Sequence, residues 1–565
     1  MERVNVKAMT NSRRELYILN KTEMEPEHRQ GGIYPHGIYL DGSQLSDKAR
    51  ITGGVTDDTI LELLKSASGL RRLVHSIGVS VHTGDQEVTS VQFTLQNGGG
   101  ASGPGSGLSL SFPADGSEAL LTLDDYDSFT DGEAAGKFMF LFNRRVSPAT
   151  LSMVFYLNDG YAVPELPQEP PVDFGSQSYR DMIAKSLLNK GNNHRLKKAI
   201  EKAEKGEPVT IAYIGGSITH GAGAAPLHTN CYAYRSYDRF KHRFAPAGHE
   251  TVTLIKAGLG GTPSELGVVR YERDVLRDGA VQPDIVIVEF AVNDADDETQ
   301  GNCYESLVLK ALAADNKPAV ILLFSVFFSD WNLQERLAPV GWHYDLPMVS
   351  VKDAVLEEFH RPKDEGRVIS KRQFFFDIYH PTNAGHRLMA DCLDWLFDVT
   401  GRSEWDEKDI TLHKQPVIGN DYAEIRLLDR LNSGTIASID TGGFAGTDDE
   451  VQQTEMDDHS YATPVFPNNW MHTAETGDHA FTMTIRAKRL ILIFKDSGDR
   501  GFGTANIWVD GTLIRTADPL LVNWTHCHAM ILFNEQHSGN HTVEIKMAAG
   551  HEGKQFTILG FGYVQ

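Results

Sequence analysis

Four short stretches of the sequence carry residues that could supply a nucleophile, a base and donors for an oxyanion. The first is IAYIGGSITHGAGA, residues 211–224, in which Ser217 follows an apolar run and the pair Gly215-Gly216. Two glycines after a buried strand permit a turn that presents the serine at the carboxyl end of the strand, where open α/β sheets bind ligands. A serine that only caps the next helix is the alternative. A phosphate-binding loop is not indicated, because its Lys-Ser/Thr pair is missing.

A serine nucleophile needs oxyanion donors, and two candidates follow later apolar runs. Gly261, in AGLGGTPS, precedes Thr262, Pro263 and Glu265, which predict a capping box with proline at the first helical position. The Gly261 N–H would then point into the mouth of the sheet near a positive helix end, and a glycine needed only for the turn is the alternative. Asn293, in FAVND, can offer its side-chain N–H groups to an oxyanion, and an Asx-turn is the alternative.

The stretch FFFDIYHPTNAGH supplies the candidate base. Asp377 and His380 lie three residues apart, followed by Pro381 and by Thr382 as the predicted helix N-cap. An aspartate at this spacing can accept a hydrogen bond from one imidazole nitrogen and leave the other free to take the serine proton. A purely structural histidine at a helix start is the alternative. His386 is interpreted as an exposed or packing residue, and no His-x-x-x-His or comparable pattern indicates a metal site.

The spacing of the apolar runs indicates which strands and helices must position these residues. Runs at 209–214, 251–257, 284–291 and 319–327 recur every 33 to 42 residues, with helical patterns between them. This alternation predicts βαβ units and a parallel sheet. We therefore predict a central α/β domain over residues 176–405, closed by a helix with an apolar face between residues 388 and 397.

Both flanking regions have β-type patterns. Residues 1–175 are predicted to form a β-rich domain with a helical interruption at 58–77, a loop at 97–107 and a proline-rich linker at 163–175. Residues 406–565 are predicted to form a β-sandwich or jelly roll, in which Asp510-Gly511 makes a two-residue hairpin turn. The chain is thus expected to comprise three domains.

The stretches GGSITHG, AGLGGTPS, FAVND and DIYH, in this order, resemble the four sequence blocks of the SGNH/GDSL hydrolases. The resemblance implies a flavodoxin-like α/β domain in which Ser217 is the nucleophile and donates its own N–H to the oxyanion hole. It makes Gly261 and Asn293 the other oxyanion donors, His380 the base and Asp377 the partner of the base. It also implies acyl transfer through an acyl-enzyme, with no metal or organic cofactor.

Two positions depart from the family's pattern. Gly216 stands where the GDS version of the first block has aspartate, and Ala291 stands where the usual third block has glycine. Both positions lie beside the reacting groups. The two departures therefore affect the assignment of the subfamily more than the assignment of the activity.

The composition argues against some classes of partner. The chain has 565 residues, of which 41% are hydrophobic, and a formal net charge of -23. The negative charge argues against a nucleic acid or an anionic membrane as the partner. The four cysteines lack CxxC spacing and so indicate neither a disulfide framework nor a zinc site. The amino terminus lacks the pattern of a secretory signal, and a cytoplasmic location is expected.

The loop after the fourth apolar run, FFSDWNLQERLAPVGWHYDLPMVS, points to a substrate class. It carries Trp331, Trp342, His343 and Tyr344 among polar residues, and aromatic faces beside hydrogen-bonding groups suit sugar rings. Packing of these side chains onto the sheet is the alternative. The β-rich flanks resemble those of multidomain carbohydrate esterases, which favours removal of acetyl groups from plant-type oligosaccharides. A lipid esterase or thioesterase of the same family and a non-catalytic carbohydrate-binding protein are the alternatives.

Overall fold

The computed structural model describes residues 12–26, 36–41, 44–96, 107–123, 136–144, 146, 148–166, 168–248, 250–522 and 524–565. The chain packs into two compact units. The first comprises Met1–Phe174, Gly223–Asn230 and Arg361–Gly385, and the second comprises Gly175–Ala222, Cys231–His360 and His386–Gln565. Of the loop predicted at 97–107, residues 97–106 lie outside the described residues. The division into three domains at 175 and 405 stays a prediction.

The amino-terminal part of the first unit combines strands with three short helices. In chain order its elements are β1 (Ser12–Arg13), β2 (Glu15–Met24), β3 (His36–Asp41), α1 (Leu45–Ile51), α2 (Asp58–Leu63), α3 (Ala67–Leu73), β4 (Val74–His82), β5 (Ser90–Gln96), β6 (Gly107–Pro113), β7 (Ala119–Thr122), β8 (Lys137–Phe142), β9 (Ala149–Leu157) and β10 (Val163–Pro164). Strands β2-β9-β4-β7 and β3-β8-β5-β6 form two antiparallel sheets, and β1 pairs with β10. Buried residues of both sheets belong to one apolar core. The β-rich character predicted for this region is confirmed.

The helical interruption predicted over 58–77 differs from the structure in its second half. Two short helices, α2 and α3, are separated at Ser66, whose hydroxyl oxygen accepts a hydrogen bond from the Gly69 N–H. Val74 then begins β4, which pairs with both β7 and β9. The helix prediction is wrong beyond Leu73, because Val74 and Ile77 reach the apolar core from a central strand.

From residue 177 to residue 402 helices alternate with strands. The elements are α4 (Gln177–Ala184), β11 (Leu187–Asn189), α5 (His194–Glu204), β12 (Val209–Gly215), α6 (Ser217–His220), α7 (Leu227–Asn230), α8 (Tyr232–Phe244), β13 (Val252–Gly258), α9 (Ser264–Asp274), β14 (Ile285–Glu289), α10 (Asn302–Leu312), β15 (Ala319–Phe324), α11 (Gln334–Tyr344), β16 (Met348–Ser350), α12 (Val351–His360), α13 (Lys371–Phe374) and α14 (Asn383–Arg402). Helices α7 and α13 and the first turn of α14 belong to the first unit, and the other elements belong to the second.

The second unit contains a six-stranded sheet with the order β13-β12-β14-β15-β16-β11. Strands β12 to β16 are parallel, and β11 runs antiparallel to β16. The parallel strands have the order 2-1-3-4-5 of flavodoxin-like folds, which confirms the predicted α/β arrangement. All residues of β14 and β15 are buried, as expected for strands covered on both faces. The carboxyl ends of β12 and β14 flank the switch point at which such sheets bind ligands.

The remaining residues of the second unit are mostly β-strands. The elements are β17 (Arg426–Leu428), α15 (Ser433–Ile436), β18 (Ala437–Asp440), β19 (Gln453–Glu455), β20 (Ala462–Pro464), β21 (Trp470–His472), β22 (Phe481–Asp496), β23 (Ala505–Val509), β24 (Thr512–Ala517), β25 (His526–Met547) and β26 (Phe556–Val564). The main sheet has the order β17-β26-β22-β25-β23-β24, with β18 on β22 and β21 on β26. Asp510 and Gly511 both have positive φ and join β23 to β24, which confirms the predicted hairpin. The jelly-roll topology stays a prediction.

One apolar core within the second unit joins the central sheet to the carboxyl-terminal strands. Its buried residues include Ile214 and Val288 of the central sheet and Ile491 and Leu559 of β22 and β26. The carboxyl-terminal strands are therefore packed directly on the α/β region.

Neither a membrane-spanning helix nor a disulfide is found in the part of the chain that the structure describes. No helix there is long and apolar enough to cross a membrane. The four cysteines are buried and carry free thiols.

The buried side chain of Arg270, on α9, ties together the carboxyl ends of β12 and β13. Its guanidinium donates to the carbonyl of Ala257 at 2.7 Å and to the carbonyl of Gly215 at 2.9 Å. It also pairs with Asp274 one turn further along α9. These are charge-assisted hydrogen bonds in a buried setting, where loss of the donor leaves polar atoms without partners.

Replacing Arg270 by methionine, which keeps chain length but no donor, is expected to lower the free energy of unfolding of this unit by about 3 kcal/mol. The exposed Arg486, on β22 of the same unit, provides the matched control. Arg486→Met should change the free energy by less than about 0.5 kcal/mol. Urea unfolding followed by tryptophan fluorescence measures both variants, and equal losses in the two would contradict the role of Arg270.

Candidate active site

The turn that follows β12 leaves no room for side chains. A Cβ atom on Gly215 would lie 2.5 Å from the carbonyl oxygen of Glu289, and one on Gly216 would lie 2.1 Å from Asn293 Oδ1. Helix α6 begins immediately afterwards at Ser217, which is half-buried. The glycine that replaces the aspartate of the GDS pattern therefore has a physical reason, because the Asn293 amide occupies the space that a side chain would need.

Asn293 lies in a 3-10 turn after β14, with its side-chain amide against the Gly215-Gly216 turn. Its backbone N–H donates to the carbonyl of Phe290 at 3.0 Å. Its Oδ1 atom is buried and has no hydrogen-bond partner among the described residues. An Asx-turn requires this oxygen to accept a local backbone hydrogen bond, so the structure argues against that alternative.

Gly261 has a φ of +69°, a conformation that disfavours other residues. A Cβ atom here would lie 2.7 Å from the Trp524 indole and 3.2 Å from the His526 ring. His526 Nε2 donates to the Gly261 carbonyl at 3.1 Å, and Gln452 donates to the carbonyl of Gly260 at 2.8 Å. The carboxyl-terminal region of the second unit thus holds this loop, which the sequence analysis did not predict.

The capping box predicted for α9 is wrong. Pro263 occupies the N-cap position, and the Thr262 hydroxyl donates instead to the carbonyl of Leu259 at 2.9 Å. Asp294 provides the cap, because its carboxylate accepts from the Ser264 N–H at 2.7 Å and from the Ser264 hydroxyl at 2.9 Å. The residue next to Asn293 therefore binds the helix that follows the Gly261 loop, which couples the two oxyanion candidates through one side chain.

Asp377 and His380 form a hydrogen-bonded pair within the first unit. Asp377 Oδ2 lies 2.8 Å from His380 Nδ1, and Oδ1 accepts the backbone N–H groups of Tyr379 and His380 at 2.8 Å. The Thr382 hydroxyl accepts from the Gly385 N–H at 3.2 Å, which confirms the predicted N-cap of α14. The carboxylate fixes the tautomer with the proton on Nδ1, so Nε2 is the nitrogen that can take up a proton.

Lys48 of α1 is a buried cation beside this pair. Its ammonium donates to the carbonyl of Phe376 at 2.6 Å and lies 3.1 Å from the centre of the Phe376 ring. Burial lowers the pKa of Lys48 to about 8, against the opposing effect of Asp377. Burial alone would raise the pKa of Asp377, but His380 and Lys48 hold it well below its usual range. No sequence signal identifies Lys48, since it lies 328 residues before Phe376.

The segment that carries the pair is bound to the amino-terminal part of the first unit at further points. Glu169 accepts from Arg367 and from the Ser370 hydroxyl, each at 2.5 Å. Gln373 donates to the carbonyl of Pro170 at 2.7 Å. The proline-rich stretch interpreted as a linker therefore anchors the Asp377–His380 segment.

One of the four aromatic-loop candidates is buried by packing, and two lie at the edge of the sheet away from Ser217, where Trp342 is 51% exposed. Tyr344 is buried and donates to Glu305 Oε1 at 2.8 Å, so the packing alternative applies to it. Trp342 and His343 lie on the last turn of α11, which returns the chain to the amino end of β16, and His343 bonds the carbonyl of Gln415 at 2.8 Å. This edge of the sheet is opposite to the edge that carries Ser217.

Two exposed tryptophans remain near the carboxyl ends of the strands. Trp331 follows β15, is 37% exposed and stacks on Phe327 at a ring distance of 5.8 Å. Trp524, absent from the sequence-based candidates, is 42% exposed and touches Gly261. His386 has a packing role, because it accepts from the Tyr232 N–H and bonds the carbonyl of Ala222.

The fold and these loops define the class of the protein. Residues 213–388 match the GDSL-like Lipase/Acylhydrolase family. The match contains all five residues expected to perform the reaction, namely Ser217, Gly261, Asn293, Asp377 and His380. The central region is therefore a GDSL-type hydrolase domain, and the protein is a carboxylic ester hydrolase.

Two solved structures are similar to much of the chain. One is a two-domain esterase active on acetylated mannans, with a TM-score of 0.58 and 27% identity, covering 68% of this chain and 99% of that chain. The other is a two-domain esterase active on acetylated mannans co-crystallized with mannopentaose, with a TM-score of 0.57 and 28% identity, covering 68% of this chain and 98% of that chain. No curated protein matches the chain.

Lys48→Met is expected to lower kcat for p-nitrophenyl acetate by about tenfold, because the segment that carries Asp377 loses the buried charge that supports the position of its carboxylate and of the Phe376 carbonyl. The wild type should lose the same support as the pH rises through about 8, where Lys48 gives up its proton. The kcat of the wild type should therefore fall towards that of the variant over this range, whereas the variant lacks the fall. Lys65→Met, at an exposed lysine of the same unit, is the control. Identical pH profiles for the wild type and Lys48→Met would refute the role.

Proposed function

We propose that this carbohydrate esterase hydrolyses O-acetyl esters of oligosaccharides, with Ser217 as the nucleophile. The observation that carries the proposal is the similarity to an esterase active on acetylated mannans, which extends over 99% of that chain. The proposed substrate is an acetylated plant-type oligosaccharide, of which an acetylated mannan fragment is the first to test.

In the proposed reaction His380 takes the proton of the Ser217 hydroxyl as the oxygen attacks the acetyl carbonyl carbon. Asp377 keeps the His380 ring in the required tautomer. The tetrahedral oxyanion accepts hydrogen bonds from the N–H groups of Ser217 and Gly261 and from the Asn293 amide. Collapse of this intermediate returns the proton to the departing sugar oxygen and leaves an acetyl ester on Ser217. Water then attacks the acetyl ester in the same way and releases acetate.

The exposed indole of Trp524 supports a sugar as the alcohol part of the ester. It lies against Gly261, so a ring stacked on it would be held beside the proposed oxyanion donor. An apolar face next to backbone polar groups suits a pyranose, which has C–H faces and a rim of hydroxyls. Trp331 offers a second exposed indole after β15.

The two alternatives make different demands on the site. A lipid esterase or thioesterase needs an apolar channel that can bury a long acyl chain, because each buried methylene contributes about 0.8 kcal/mol. A non-catalytic carbohydrate-binding protein needs no nucleophile. The acyl-chain preference and the effect of removing the Ser217 hydroxyl therefore separate these alternatives from the proposed function.

Ser217→Ala is expected to abolish hydrolysis, with a loss on the order of a million-fold in kcat. The fold should persist, because Ser217 is half-buried at the start of a short helix and its loss opens no apolar cavity. Acid-quenched wild-type enzyme should carry an acetyl group on the peptide that contains Ser217, as measured by mass spectrometry. Ser117→Ala, at an exposed serine, is the control and should retain full activity. Near-normal turnover by Ser217→Ala would exclude the proposed nucleophile.

The enzyme is expected to prefer acetyl over longer acyl groups, with kcat/KM falling steeply beyond about four carbons. The physical reason is that the glycine turns bring backbone close to Ser217, while Trp524 covers Gly261 and leaves little space for a chain. A series of p-nitrophenyl esters from two to about twelve carbons measures the preference. Release of acetate from acetylated mannan oligosaccharides, followed by NMR, tests the sugar. An optimum at long chains would favour the lipid esterase.

A further inference from the structure

A second cluster of chemically active side chains lies at the junction of β22 and β25. Strand β22 ends at Asp496 and β25 begins at His526, and the antiparallel register places these two residues opposite each other. His528 lies two residues further along β25. Residues directly opposite one another, and residues two apart on one strand, share a face of the sheet. The register therefore brings a carboxylate and two imidazoles together. In the sequence, this cluster is reflected in the His-x-His spacing of His526 and His528.

The three side chains are within reach of one ion. One ligand-type atom from each lies within 4.8 Å of the others. Asp496 is 0% exposed, His526 is 8% exposed and His528 is half-buried. In a tetrahedral zinc site, bonds of about 2.0–2.1 Å place the ligand atoms roughly 3.4 Å apart. Side-chain shifts of up to about 1.4 Å would bring the cluster to this spacing, and His528 is the least buried of the three residues.

Two atoms of the cluster lack the partners that burial normally requires. Asp496 Oδ1 accepts the N–H groups of Leu521 and Val522 at 3.1 and 3.2 Å, whereas Oδ2 is buried without a partner among the described residues. His526 Nδ1 is buried and equally unpartnered within the described part of the chain. A buried acceptor without a partner costs free energy, and two in one cluster indicate that something binds both.

We propose that Asp496, His526 and His528 bind a divalent transition metal ion, with Zn²⁺ as the ion tested first. Two imidazole nitrogens and a carboxylate form a ligand set that zinc commonly takes. Burial lowers the pKa of His526 to about 4, so its ring is neutral near pH 7 and its nitrogen lone pair is available. A metal on Nδ1 leaves the proton on Nε2.

The bound metal would fix the Gly261 loop. His526 Nε2 lies 3.1 Å from the Gly261 carbonyl, and a metal on Nδ1 makes Nε2 an obligatory donor to that carbonyl. His526 is thus a positioning residue that connects the metal to the loop whose N–H is assigned to the oxyanion. This second step rests on the proposed function, whereas metal binding itself does not.

The competing explanation is a proton shared within the cluster. Burial raises the pKa of Asp496 to about 6, and a protonated Asp496 could donate to an imidazole nitrogen without any metal. The two explanations differ in one measurable quantity, which is the affinity for metal.

The test is a zinc titration of the full-length, tag-free protein after chelator treatment and removal of the chelator. Calorimetry is expected to show one Zn²⁺ per chain with a Kd below about 1 μM. Asp496→Asn and His528→Gln should weaken binding by at least about 100-fold, while His459→Gln, at an exposed histidine of the same unit, should not. Circular dichroism establishes that each variant is folded. Co²⁺ in place of Zn²⁺ should give visible absorption bands in the wild type that both ligand variants lack.

Absence of zinc binding by the wild type, or equal affinity in folded Asp496→Asn, would overturn the metal site in favour of the shared proton. The second step has its own readout, because chelation should lower kcat for p-nitrophenyl acetate by about tenfold while KM changes little. Unchanged kcat after metal removal would refute the effect on the Gly261 loop and leave the titration result standing. If no ester is hydrolysed in either state, the proposed function fails, and the titration still decides the metal site.

Discussion

The close approach of β12 and β14 at their carboxyl ends is the constraint on which the site of the second unit depends. The two strands are paired up to Gly215 and Glu289, so the chain has no space for a side chain where the ladder ends. Two glycines are required there, and Ser217 follows at the first position that can carry a functional group. Arg270 holds the Gly215 carbonyl from the helix side. Because Asn293 fills the space beside Gly216, the proposed oxyanion donor and the proposed nucleophile are placed by the same packing.

The β-rich regions bind the loops that carry the proposed catalytic residues. In the first unit, Lys48 binds the Phe376 carbonyl, next to the aspartate that orients the proposed base. In the second unit, Gln452 and His526 bind the carbonyls of Gly260 and Gly261. Each contact is a hydrogen bond to a backbone carbonyl, so it uses neither the Gly261 N–H nor the His380 ring. Such contacts restrict loop motion without occupying the groups that are proposed to meet the substrate.

Local patterns allowed much of the fold and of the site to be predicted. The apolar runs gave the parallel strands, and the spacing of Asp377 and His380 was enough to predict their pairing, because three residues suffice to bring the two side chains together. Contacts between distant segments could not be predicted in this way. Lys48 has the pattern of an ordinary helical lysine, and only the fold brings it to the base. The prediction of the α9 cap was wrong for the same reason. The capping carboxylate belongs to Asp294, which lies in another loop, and not to the local candidate Thr262.

The two-domain esterase active on acetylated mannans is similar to most of this chain but not to all of it. That structure is covered over 99% of its length by 68% of this chain, so close to one third of this chain has no counterpart there. Each β-rich region binds one loop that carries proposed reacting groups, through Lys48 in one case and through Gln452 and His526 in the other. All five residues proposed to react lie within residues 213–388, the part of the chain that matches the hydrolase family, and segments outside this range hold the loops that carry three of them, Gly261, Asp377 and His380.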